Sequence, residues 1–291
     1  MKFVVFDFGS VLRVKTLNHP RVFAELTEEL NTELEKVGSN IRVKDPSKLK
    51  KFVKSKDWKS TVGYGKCTRA EAFHQRFDEL GIFDQSFRSQ FLEKFDFEEK
   101  VVLPEMKALL KEIKKKEGVE LGILSNHCLE LRSWLGNDRY DIVPRLIPSE
   151  NVVISAEIGV KKPHEDAYRN LLETLSRSKC APKSKRKSLV ARTAISYALR
   201  AKSAAQRRLG SRIRKKSLRT ETPEEEGTEA QAEEEIELID PLDVLFIDNR
   251  ENNIEAAHNM GFATFLYKYD PNLDGDANVS LLRESILNFF E

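Results

Sequence analysis

Lys2-Phe-Val-Val-Phe-Asp7-Phe-Gly9-Ser10-Val-Leu12 decides the fold of this chain. The apolar run from Phe3 to Phe6 predicts a strand buried on both faces, and Asp7 follows at its carboxyl end. Open α/β sheets place their ligands at that edge. An acid delivered there by a hydrophobic strand and followed by a glycine turn needs a chemical reason.

Alternation continues along the chain. Pro104 opens a helix carrying Met106, Leu109, Leu110 and Ile113, and Gly118 stops it before a strand at Val119 to Leu124. Further strands are expected at Val152 to Ser155, Val244 to Ile247 and Ala263 to Tyr267, with helices at Glu165 to Leu175 and Ile254 to Met260. Between the first strand and Pro104, residues 18–100 show only helical periodicity, as in Phe73, Phe77 and Leu80, then Phe87, Phe91 and Phe95. The fold class is α/β: a doubly wound, Rossmann-like parallel sheet with an all-helical cap inserted after the first strand. Residues 1–17 and 101–291 form the core and 18–100 the cap.

The 291 residues are 40% apolar, enough for one sizeable core or two small ones. No apolar run approaches the roughly 20 residues that span a bilayer, and a core strand beginning at residue 3 leaves no room for a leader. A cytoplasmic location is expected. Cys67, Cys128 and Cys180 are far apart and odd in number, which argues against a disulfide framework or a zinc site and for a reducing compartment. His74, His127, His164 and His258 have no partners at metal-ligand spacing.

Net charge is +2, yet residues 177–219 hold sixteen Lys or Arg and no acid, while residues 220–240 hold ten Asp or Glu and no base. Residues 176–240 therefore read as a charged insertion within the core, too poor in apolar groups to offset the entropy of ordering. The run Pro182-Lys-Ser-Lys-Arg-Lys187 fits nuclear targeting or a nucleic-acid contact to RNA, and Leu189 to Leu209 a basic amphipathic helix against an acidic partner or membrane surface. A solvated loop whose two halves attract each other is the simpler reading, and the scarcity of aromatics argues against base stacking.

Polar residues end three of the strands: Asp7, Ser125-Asn126 and Asp248-Asn249. Lys162 precedes Pro163, which suits the first position of a helix, so an ammonium is expected at a helix start where an anion is favoured. Together these make a phosphate and Mg²⁺ site, since magnesium takes hard oxygen ligands and keeps several waters.

These motifs resemble the haloacid dehalogenase-like hydrolase superfamily, in order and over essentially the whole chain outside the insertion. They are Phe6-Asp7-Phe8-Gly9-Ser10-Val11-Leu12, Leu124-Ser125-Asn126, Gly159-Val-Lys-Lys162-Pro163, and Phe246-Ile247-Asp248-Asn249 running on to Ala256-Ala257 and Gly261. Asp57-Trp58 and Gly65-Lys-Cys-Thr-Arg-Ala-Glu71-Ala-Phe73 look like cap helices of the subgroup with sugar-phosphate phosphatases, haloacid dehalogenases and the amino-terminal domain of soluble epoxide hydrolases.

The resemblance implies that Asp7 attacks phosphorus to form an aspartyl-phosphate, Ser125 hydrogen-bonds the phosphoryl group, Asn126 orients it or the substrate, and Lys162 neutralises charge. It implies Mg²⁺ held by Asp7, the carbonyl of Gly9 and the pair Asp248 and Asn249, with Asn249 as direct ligand and Asp248 in support. The substrate would be a small phosphate ester. Two residues depart from the pattern: Gly9 stands where phosphatases carry an acid–base aspartate, and Asn249 brings no formal charge. A metal-independent dehalogenase-like hydrolase and a catalytically degenerate binding or regulatory protein are the alternatives on the same scaffold.

Overall fold

The computed structural model describes residues 1–14, 19–54, 57–97, 101–136, 140–180 and 238–291. Its sheet has β1 (Lys2–Phe6), β2 (Val119–Ser125), β3 (Val152–Ile154), β4 (Val244–Asp248) and β5 (Ala263–Leu266) in the order β3-β2-β1-β4-β5. Every neighbouring pair is parallel. The chain builds outward from β1 to β3 and then restarts on the other side with β4, so the topological switch lies at β1, the strand that delivers Asp7.

The pleat of β1 explains why its run is wholly apolar. Val4 and Phe6 enter one core layer with Met106, Leu109 and Leu110 of α6 (Pro104–Lys114) and Leu282 and Ile286 of α11 (Gly275–Phe290). Phe3 and Val5 enter the opposite layer with Tyr168, Leu171 and Leu175 of α9 (Glu165–Cys180) and Ala257 of α10 (Glu251–Asn259). A strand covered on both faces has no solvated side for polar residues.

Among the described residues, five α-helices lie between β1 and α6: α1 (His19–Lys36), α2 (Leu49–Val53), α3 (Trp58–Thr61), α4 (Arg69–Glu79) and α5 (Gln85–Phe97). Leu26 and Leu30 of α1, Phe73 and Phe77 of α4, and Phe91 and Phe95 of α5 form a separate buried cluster. The cap phenylalanines are thus packing residues, edge-on at 5.3 Å between the Phe73 and Phe95 centroids. Thr68 and Glu71 close a capping box at the start of α4, each side chain accepting the other's backbone N–H. The chain leaves the core and returns to it side by side, because Val14 and Val101 exchange backbone hydrogen bonds of 3.0 and 3.3 Å.

Three boundaries differ from expectation. Ser155 opens the short helix α8 (Ser155–Ile158) instead of ending β3. α9 begins at Glu165 as expected but runs on to Cys180, and Pro163, expected at the first position of a helix, lies in the turn before it. The proposed charged insertion lies outside the described residues over 181–237, but its flanks are ordered parts of the core. Ser176 and Ser178 are buried in α9, and Ile239 is buried as well. Charge composition marked the segment too widely because α9 carries Arg177 and Lys179 on its solvated side. Among the described residues no helix is long and apolar enough to cross a membrane.

Candidate active site

Asp7 extends β1 by one residue, its N–H donating to Ile247 O over 2.8 Å. The chain then closes a tight turn in which Ser10 N–H donates to Arg13 O at 2.8 Å and Arg13 N–H to Phe8 O at 3.0 Å. Ser10 adopts a left-handed conformation, φ 69°, which a side chain other than glycine rarely takes. Asp7 and Gly9 are thereby held at the carboxyl edge of the central strand.

Lys162 reaches inward to the same place. Its ammonium donates to Asp7 Oδ1 at 2.8 Å, to Asp248 Oδ2 at 2.7 Å and to Leu124 O at 2.6 Å. An ammonium has three N–H groups, so all of them are engaged. The expectation of Lys162 at a helix start is therefore corrected: it lies three residues before α9, with its side chain in the buried cleft between β1, β2 and β4. Two carboxylates buried side by side would repel strongly, and one ammonium between them offsets most of that cost.

Asp248 ends β4 and is fully buried. Besides Lys162, its oxygens accept from Asn253 Nδ2 and from Arg250 N–H, each at 2.9 Å. Three donors engage its two oxygens, and it is linked to Asp7 through Lys162. That arrangement gives Asp248 a supporting place, with half-buried Asn249 as the next residue beyond the strand. Asn126 is likewise committed: its Nδ2 donates to Lys162 O at 2.8 Å and its Oδ1 accepts Lys162 N–H at 2.9 Å. Those bonds fasten the lysine loop to the end of β2. Ser125, buried, is the last residue of β2.

Burial raises the Asp7 carboxyl above its ordinary value, Lys162 pulls it back, and Asp248 pushes it up again. A Cβ added to Gly9 would have only Asp7 Oδ2 within 4 Å, at 3.7 Å. Nothing in the fold demands glycine there.

The donor chemistry tests the implied Mg²⁺. Among the described residues no group of three or more His, Cys, Asp or Glu gathers for a metal. What remains near the strand ends is the Asp7 carboxylate, the Gly9 carbonyl and the Asn249 amide oxygen. These are hard oxygens carrying one charge, a set that fits magnesium arriving with a phosphate, which commonly supplies the rest of the shell.

Sequence reasoning missed two residues. Asn253 positions Asp248, and its backbone carbonyl accepts the Tyr168 hydroxyl at 2.8 Å. The signal was an asparagine on the buried side of α10, where its helix propensity is poor. Ser155 is buried, and its hydroxyl accepts His127 N–H at 3.1 Å while donating to Gly63 O in the cap at 2.9 Å.

No family model matches the chain, and no curated protein matches it. Solved structures do. A HAD family enzyme from Bacteroides thetaiotaomicron in complex with magnesium and inorganic phosphate is 14% identical with a TM-score of 0.53, over 95% of this chain and 98% of that one. A HAD-like family hydrolase from Porphyromonas gingivalis is 15% identical with a TM-score of 0.50, over 97% and 98%. The fold is therefore that of the HAD-like hydrolases: a Rossmann-like parallel core with a helical segment after the first strand.

Proposed function

We propose that this chain is a hydrolase of small phosphate monoesters that works through an aspartyl-phosphate on Asp7. The observation that carries the reading is the buried triad of Asp7, Lys162 and Asp248 at the switch point of the sheet, with Lys162 bonded to both acids at 2.8 and 2.7 Å. Magnesium complexes with phosphate in a structure of the same fold support the choice of phosphoryl chemistry.

Asp7 attacks phosphorus as its carboxylate, and the P–O bond to the leaving group breaks. The departing alkoxide takes its proton from water, since Gly9 offers no acid. Water then cleaves the acyl phosphate, returning the carboxylate and releasing inorganic phosphate. Lys162 holds Asp7 in place and keeps it ionised despite burial. Ser125 hydrogen-bonds the phosphoryl group, and Asn126 serves by fixing Lys162. Asp7, the Gly9 carbonyl and Asn249 would hold Mg²⁺, which when bound supplies positive charge against the phosphoryl oxygens.

The test is hydrolysis of p-nitrophenyl phosphate with and without Mg²⁺, beside Asp7→Asn. Release that needs both Asp7 and Mg²⁺ supports the reading; equal inactivity of both proteins across a panel of phosphate esters rejects it and leaves a binding protein on this scaffold. A second reading rests on Asn249 and on the full engagement of Asp248: a single carboxylate displacing halide at carbon needs no metal. Metal-independent halide release from a 2-halo acid would establish it.

A further inference from the structure

Among the described residues, three hydrogen-bonded ties join the cap to core residues that flank the candidate site: Ser155 at the start of α8, Lys161 beside Lys162, and Glu130 on the loop after β2. Ser155 Oγ donates to Gly63 O of the cap and accepts His127 N–H, two residues beyond Ser125. Lys161, next to Lys162, donates its ammonium to Lys59 O and lies 4.2 Å over the Tyr64 ring. Glu130 Oε1, on the loop after β2, accepts the N–H of Arg69 at the start of α4 at 2.6 Å. Beneath these ties Val62 and Ala72 of the cap pack with Cys128 of the core, flanked by Trp58, Cys67 and Trp134.

The contact is close enough to constrain the sequence. Gly65 has φ +65°, and a Cβ there would overlap the carbonyl oxygen of Ala156. Cap residues 59–65 thus form a strap that lies on core residues 155–161 with backbone against backbone. A strap of this kind could serve only to hold the cap, but its polar bonds go to Ser155, which also accepts the N–H of His127 on the Ser125 loop, and to Lys161, the neighbour of Lys162.

We infer that Ser155, Gly65 and Lys161 are positioning residues: the seated strap holds the Ser125–Asn126 and Lys162 loops in register with Asp7. The inference deepens the phosphatase reading and rests on it. The site then depends on the strap even for a substrate with nothing for a cap to grip. A displacement of about 1 Å at reacting groups costs on the order of 10²-fold in rate.

The experiment uses acetyl phosphate, the full chain, and the variants Gly65→Ala and Ser155→Ala, with Leu30→Ala as a comparator that weakens the cap core without touching the strap. Amide hydrogen exchange at His127 and Lys162 is read alongside kcat/KM, well below each variant's melting temperature. The expected result is a fall of roughly 10²-fold in kcat/KM for both strap variants, faster exchange at both amides in Gly65→Ala, and near wild-type values for Leu30→Ala. Should the strap variants hydrolyse acetyl phosphate like wild type, or Leu30→Ala lose as much as they do, the inference is overturned. If wild type hydrolyses nothing while exchange still accelerates in Gly65→Ala, the phosphatase reading fails and the strap's hold on the loops stands. Unchanged exchange removes that hold.

Discussion

Lys162 Nζ lies 2.7 Å from Asp248 Oδ2 with both side chains essentially sealed from solvent. The pair matters because Asp248 faces no solvent that could compensate it, and Asp7 shares the same ammonium. Removing the lysine strands two buried carboxylates.

Lys162→Met is therefore expected to destabilise the fold by about 3–5 kcal/mol at neutral pH. Without the ammonium the Asp7 carboxyl keeps the burial and the Asp248 charge that raise it and loses the group that lowers it, so over the pH window above its ordinary value the folded state binds more protons than the unfolded one. Stability then falls as pH rises through that window, and the deficit shrinks on acidification. Urea unfolding of wild type and variant at pH 5 and pH 7.5 measures it; a deficit larger at pH 5 contradicts the assignment.

Gly9→Asp places a carboxyl two residues beyond Asp7, at a position where an added Cβ meets only Asp7 Oδ2 within 4 Å among the described residues. If the missing acid limits turnover, hydrolysis of unactivated alkyl phosphates should rise by about 10²–10⁴-fold, with much less gain on p-nitrophenyl phosphate, whose leaving group needs no proton. Equal gains on both substrates would point to metal binding instead.

Because burial raises the Asp7 carboxyl, kcat/KM should climb with pH along an acid limb lying above the ordinary value of 3.8. Below that limb Asp7 is protonated and cannot attack. A profile flat down to pH 4 would show that another group is the nucleophile.

Tyr267 is buried, and its hydroxyl has no hydrogen-bond partner among the described residues. Burial, with Tyr269 adding to it, pushes its ionisation from 10.0 up to about 12. Between those values the unfolded chain releases a proton that the native state retains, so stability falls as pH rises. Tyr267→Phe should remove that alkaline loss and cost nothing at pH 7, where an unpaired hydroxyl contributes little. Thermal melts at pH 7 and pH 10.5 decide it.

Ile239 N–H donates to Ser176 Oγ at 2.9 Å, so the chain leaves and rejoins the core at one point. That point lies toward the far end of α9, about 17 Å along the helix from its start at Glu165. Replacing residues 181–237 by a short glycine-serine linker should leave the melting temperature within a few degrees and p-nitrophenyl phosphate turnover unchanged. Loss of turnover in a folded deletion protein would tie the charged segment to catalysis.

The fold was legible because Phe3 to Phe6 of β1 and Val244 to Ile247 of β4 are apolar on both pleat faces, as a doubly covered sheet requires. Asp7 and Asp248 were legible for the same reason, as acids that directly follow those buried runs. What spacing could not reveal was reach. Lys162 was expected to face a helix terminus, yet a long flexible side chain settles wherever uncompensated charge is buried, and two acids from other strands outbid a terminus. Asn126 and Asn253 were equally opaque, because an amide's partners are fixed by loops that meet only in three dimensions. Ser155 looked like the tail of a strand and is a junction.

The paired hydrogen bonds of Val14 and Val101 give the molecule a single doorway between its two parts. Whatever lies between those valines can lengthen, shorten or be exchanged without breaking a strand of the sheet. A transplanted cap must nonetheless bring its own strap to fit residues 155–161. Cap and core in this chain are therefore parts that meet twice, once where the backbone crosses and once where the strap is seated.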